Sequence, residues 1–151
     1  MNRIASDKSK SPATSTGLFI SNTTHQILPE KKIRAAIELV LKAEGYRCER
    51  ISAVYCGDKF IKKINRESLH HDYATDTISF RFNRGKNIDG EFYISLARIK
   101  ANARSYRVSR EEELMRVTIH SVLHLIGYDD RTPKQKKAMT EKENDYLMRS
   151  E

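Results

Sequence analysis

The chain has 151 residues, of which 28 are Lys or Arg and 20 are Asp or Glu, for a formal net charge of +8; 38% of it is hydrophobic. That length fits one domain of common size, and no apolar run is long enough to span a membrane. The positive excess fits a polyanionic partner and fits a merely soluble basic surface equally well.

Met1 to Thr16 is polar, rich in Ser, Thr and Lys, and has no apolar h-region. It is expected to be a disordered tail rather than a secretory signal, leaving 17–151 as a single domain. Leu18-Phe19-Ile20 predicts a short first strand and Asn22-Thr23-Thr24 a loop. Pro29 opens a helix to about Glu44, with Ile33, Ala36, Ile37, Val40 and Leu41 at helical spacing and Gly45 as its stop.

Arg50 to Tyr55 alternates as a second strand. With this segment extended, Cys48 and Cys56 stand roughly 25 Å apart at about 3.3 Å per residue, too far for a disulfide. Free thiols suit a reducing cytosol. Asp58 is expected to cap a helix starting at Lys59, with Phe60, Ile61 and Ile64 as its buried stripe.

Ser68 to Thr75 holds His70, His71 and Asp72, which reads more readily as a solvated loop than as a second metal site. Asp76 to Phe82 predicts a strand with Ile78, Phe80 and Phe82 on one face. Asn83 to Asp89 is a loop, and Gly90 to Ser95 a strand paired back as a hairpin. Leu96 to Tyr106 predicts a helix burying Ile99, Ala103 and Tyr106.

Ser109 and Glu112 have the spacing of a capping box, which starts a helix running into His120-Ser121-Val122-Leu123-His124-Leu125-Ile126-Gly127-Tyr128-Asp129-Asp130. Two histidines four positions apart project from one helical face. Gly127 stops the helix, and the turn beyond it presents two carboxylates. Asp130 is preferred to Asp129 as a third ligand because its longer reach gives the turn more room to close. Two imidazoles and a carboxylate make a three-ligand site with an open fourth position, the form of a catalytic metal that activates water. Nitrogen and oxygen donors together suit zinc, with nickel, manganese and iron as alternatives. Ser121 stands where a metalloprotease of this helix type has its general-base Glu, which disfavours peptidase chemistry. Arg81, Arg84 and Lys86, followed by Lys100, Arg104 and Arg107, could steady a phosphodiester or form a solvated basic face. Thr132-Pro133 opens a last helix anchored by Ala138, Met139 and Leu147.

The stretch His120 to Asp130 resembles the signature of the YbeY family of bacterial endoribonucleases and rRNA maturation factors, His-Gly-x-Leu-His-Leu-x-Gly-Tyr-Asp-His. Asn65 with Thr75-Asp76-Thr77-Ile78-Ser79-Phe80, and Gly90-Glu91-Phe92-Tyr93-Ile94-Ser95, resemble two further family segments. The family's third metal histidine falls at Asp130, its Gly after the first His at Ser121, and its functionally important Arg, four residues after the Asn, at Leu69. The resemblance implies a cytoplasmic, zinc-dependent enzyme that cuts single-stranded rRNA near the small ribosomal subunit, in 16S rRNA processing.

The expected fold is therefore α+β, a small mixed sheet of about four strands covered by helices, with a zincin-like metal helix. The expected metal ligands are His120, His124 and Asp130, and the expected RNA-binding residues are Arg81, Arg84 and Lys86. The chain is expected to act as a monomer, apart from any membrane. A ribosome-assembly or RNA-binding factor with a structural metal is the competing reading, and a metallopeptidase the third.

Overall fold

A computed structural model describes residues 2–4, 16–70 and 75–151. The elements run β1 (Asn2–Ile4), β2 (Gly17–Asn22), α1 (Glu30–Ala43), β3 (Arg47–Cys56), α2 (Asp58–Leu69), β4 (Thr77–Arg81), β5 (Asn87–Ser95), α3 (Leu96–Tyr106), α4 (Arg110–Leu125) and α5 (Pro133–Arg149). This is the α+β arrangement the sequence predicts. A mixed sheet has the order β4-β5-β3-β2, with the three-residue β1 at the outer edge of β4. β4 and β5 are antiparallel, with Ser79 opposite Phe92, whereas β3 runs parallel to both β5 and β2.

The expected tail, Met1 to Thr16, thus begins with a paired segment, since Asn2–Ile4 lies parallel to Ser79–Arg81. Residues 1 and 5–15 lie outside the described residues, as do His71 and Asp72 of the polar run.

Alternation along the strands divides the core. Ile51, Ala53 and Tyr55 of β3 join Phe92 and Ile94 of β5 on one face, where α1, α4 and α5 add Ile37, Val40, Val122, Leu123 and Met139. Cys56, Ile78 and Phe80 point to the other face and pack on Ile61 and Leu69 of α2. Both cysteines are free.

Helix α2 departs from its expected stripe. Its buried residues are Ile61, Asn65 and Leu69, while Phe60 is exposed. Its cap residue is Gly57, and the Asp58 carboxylate instead accepts from Ser95 Oγ at 2.6 Å. In α5 the buried positions are Met139, Glu143 and Tyr146, and Ala138 faces solvent. The reciprocal capping box is completed at α5, where Thr132 and Gln135 exchange bonds; at α4, Ser109 Oγ accepts from the Glu112 N–H at 3.0 Å.

The seat of α4 on the sheet depends on Gly90 in β5. A Cβ there would lie 2.6 Å from the Phe80 carbonyl oxygen and 3.1 Å from Leu125 Cδ2. Only a residue without a side chain lets β4 and the end of α4 approach this closely.

Candidate metal centre

Helix α4 is held on three sides, which fixes its two imidazoles. All residues from Ser121 to Leu125 are buried. Beyond Leu125 the backbone reverses at Gly127, whose φ of +107° lies in the left-handed region. The Gly127 N–H donates to the His124 carbonyl and the Tyr128 N–H to the Leu123 carbonyl, each at 3.0 Å. This paired pattern closes the helix and sends Asp129 and Asp130 back along its flank.

A second anchor holds that turn. Glu44, just past α1, accepts from Tyr128 Oη at 2.7 Å, from Lys142 Nζ at 2.9 Å and from Tyr146 Oη. Burial raises the Glu44 pKa, but the bonds from Tyr146, Tyr128 and Lys142 outweigh it and hold the carboxyl below its usual value. The anion therefore ties the turn to α1 and α5.

His120, His124 and Asp130 come together as expected. His120 Nε2 lies 3.0 Å from His124 Nε2 and 3.4 Å from Asp130 Oδ2, and His124 Nε2 lies 3.5 Å from the same oxygen. Zinc bonds of about 2.0–2.1 Å in a tetrahedron place neighbouring donors roughly 3.3 Å apart, so this triangle has the right size. The three donors form the metal-suited group among the described residues. His70 sits exposed at the left-handed end of α2, apart from them.

Chemistry supports the fit as well as size. His124 is 1% exposed. Burial, and next the neighbouring His120, pull its pKa down to about 4, so its ring is neutral and its lone pair available. His120 donates from Nδ1 to Glu143 Oε2 at 2.6 Å, which leaves Nε2 as the ligand atom. The Asp130 side chain remains 36% exposed, so the group opens on one side to solvent.

Glu143 was hidden from sequence reasoning because α5 is densely charged. A signal was present, since Glu143 lies between Met139 and Tyr146 on the buried stripe. Arg116 Nη1 also reaches Glu143, at Oε1, 3.2 Å away. Ser121 is buried on the sheet-facing flank of α4, next to the histidine face, where its hydroxyl contacts Thr77 Oγ1 at 2.7 Å and donates to the Val117 carbonyl. It packs the helix on the sheet.

The three expected RNA-binding residues part company. Arg81 is 8% exposed and donates to the Leu125 carbonyl at 3.0 Å, the Gly85 carbonyl at 2.7 Å and Asn83 Oδ1 at 3.0 Å. It clamps the hairpin onto the end of α4; although it is expected among the RNA-binding residues, its guanidinium is engaged within the protein. Arg84 and Lys86 are exposed, with Lys86 Nζ 4.1 Å above the Tyr46 ring. Leu69, at the position of the family's Arg, is buried against Ile61 and Phe80.

Fold and donor set define an α+β protein with a three-donor, open-sided site suited to a divalent metal. The family model described as Endoribonuclease YbeY matches residues 19–151. Among curated relatives, "Endoribonuclease YbeY" of Chloroherpeton thalassium is 62% identical over 130 residues, covering 86% of this chain and 92% of that one. Its counterpart in Chlorobaculum parvum is 53% identical over 132 residues, covering 87% and 94%. A Thermotoga maritima protein solved in solution is 27% identical, with a TM-score of 0.64 over 89% of each chain. The chain belongs to the YbeY family.

Proposed function

We propose that this chain is a single-strand-specific, metal-dependent endoribonuclease that acts in rRNA maturation, on 16S rRNA at the small ribosomal subunit. The observation that carries the reading is the convergence of His120 Nε2, His124 Nε2 and Asp130 Oδ2 within 3.0–3.5 Å of one another, in a chain whose relatives are named endoribonucleases. Zinc is the metal this donor set favours. Bound there, it supplies Lewis acidity and makes water a nucleophile near neutral pH.

The chain's own residues do the rest. Neutral His124 and the Glu143-oriented His120 keep two lone pairs aimed at one point. Asp130, at the open side, contributes negative charge. Leu69 brings no cation, so the developing charge on a phosphodiester is met by other groups. Lys136 lines the cleft beside His120 and Asp130, and Arg84 and Lys86 offer exposed charge along the strand's path. No helix among the described residues is long and apolar enough to cross a membrane. A cytoplasmic site of action and a monomeric state complete the proposal.

The test is cleavage of single-stranded RNA by nuclease-free protein. His124→Ala is expected to lower the rate by about a hundredfold or more, with the helical circular dichroism retained. Equal cutting by variant and wild type would assign the activity to a contaminant or another site. Failure of both to cut, with retained binding to small subunits, would favour an assembly factor.

A further inference from the structure

Beside the metal donors runs a cleft of about 260 Å³ between α3, α4 and α5, and His120 and Asp130 form part of its wall. Resting on the endoribonuclease reading, we propose that this cleft receives one unpaired nucleobase next to the scissile phosphate, with Tyr106 as its stacking surface and Asp76 as the group that reads its donor edge.

Size and shape come first. Ligand pockets for drug-sized molecules begin at roughly 300 Å³, so this cleft suits a single planar heterocycle and excludes a duplex. Its contiguity with His120 and Asp130 places any occupant within one nucleotide of the donors.

Tyr106 is the second observation. Its place on the α3 stripe predicts burial, yet it is 64% exposed at the cleft. An exposed aromatic beside such a site is a platform on which any base can stack. Single-strand selectivity follows, because a base inside a duplex already has its stacking partners.

Charge decides which part of a nucleotide enters. Asp76 and Glu113 line the cleft, and both lie at long range, 3.5 and 3.4 Å, from the Asn102 amide nitrogen they share. Burial pushes the Glu113 carboxyl up. The Asp76 carboxylate favours base donors, while Lys136 in the same lining is the cation that meets phosphate. Asp76 is half-buried, with its backbone fixed by the Ser95 N–H donating to its carbonyl at 2.9 Å. A carboxylate offers two acceptors side by side. Guanine matches them with adjacent N1–H and amino donors, whereas uracil presents one donor between two acceptors.

The experiment uses the full, zinc-loaded chain on fluorescent oligouridine strands carrying one central guanine, inosine or uracil. Wild type is expected to cut beside guanine with the highest kcat/KM. Asp76→Asn should reduce the guanine advantage over inosine by about tenfold, the scale of one bidentate base contact. Tyr106→Ala should raise KM about fivefold or more on all three strands with little change in kcat, and Tyr106→Phe should restore it. Unchanged KM in Tyr106→Ala, or a guanine preference that survives Asp76→Asn, overturns the inference while the endoribonuclease reading stands. If wild type cuts none of the strands, both fall.

Discussion

Helix α4 carries polar groups toward the sheet and toward α5, and their surroundings differ in kind. Toward the sheet, Ser121 meets Thr77 and the Val117 carbonyl, Thr118 meets Tyr55 Oη at 2.9 Å, and Arg81 meets the carbonyl that ends the helix. Each donor there faces a complementary acceptor within the protein. Toward α5, two imidazole nitrogens and a carboxylate oxygen, all able to ligate a metal, crowd one another at 3.0–3.5 Å. Complementary pairing reads as structure. Convergence of three potential ligand atoms on one point suits a cation held between them. The same helix shows both, so the distinction does not depend on burial, as Ser121 and His124 are both essentially inaccessible.

The largest effect that would sharpen this contrast lies at Arg81. Replacing it with Leu leaves the Leu125 and Gly85 carbonyls and Asn83 without their guanidinium donor. The expected loss is about 3 kcal/mol of stability, read as a lower urea midpoint. RNA affinity measured below that midpoint should change little. A large, salt-dependent loss of RNA binding with unchanged stability would return Arg81 to the RNA surface and break the division between the two sides.

Next comes Glu143, which acts on the metal side through His120. Glu143→Gln keeps the shape but weakens the acceptor for His120 Nδ1. Zinc affinity, measured by competition with a chelator, is expected to fall about 10–100-fold. Unaltered affinity would make the Glu143–His120 contact an ordinary ion pair, and the resemblance between the two sides of α4 would then be closer than proposed.

How much of this could be read in advance follows the same line. Periodicity sufficed for α1, whose five buried residues are the five expected. It also sufficed for the metal helix and its glycine stop, because helical spacing and a left-handed terminus are local properties. In β4, alternation sets Ile78 and Phe80 on one face and polar residues on the other, yet all five residues are buried. Thr77, Ser79 and Arg81 lie under α4, and each bonds to a group of α4 more than forty residues away in sequence. The parallel pairing of β3 with β5 is likewise set by tertiary packing. Tyr106 was misplaced and Glu143 passed over for one reason. A stripe shows which face of a helix turns inward, but not where that face ends at a cleft or whether a charge on it meets a ligand's ring.

The smallest expected effect tests the sheet side by itself. Ser121→Ala removes a buried hydroxyl that donates to Val117 and contacts Thr77 Oγ1. The family signature has glycine at this position, so the site tolerates a smaller residue. Loss of one neutral hydrogen bond and partial exposure of another is expected to cost about 1 kcal/mol, visible as a small drop in the urea midpoint. Zinc affinity should stay within about twofold of wild type, because the hydroxyl's bonds run to Val117 and Thr77 rather than to an imidazole. A fall in zinc affinity comparable to that of Glu143→Gln would mean that the seat of α4 on β4 sets the His120–His124 spacing. The two sides of the helix would then work as one unit rather than as a structural and a chemical face.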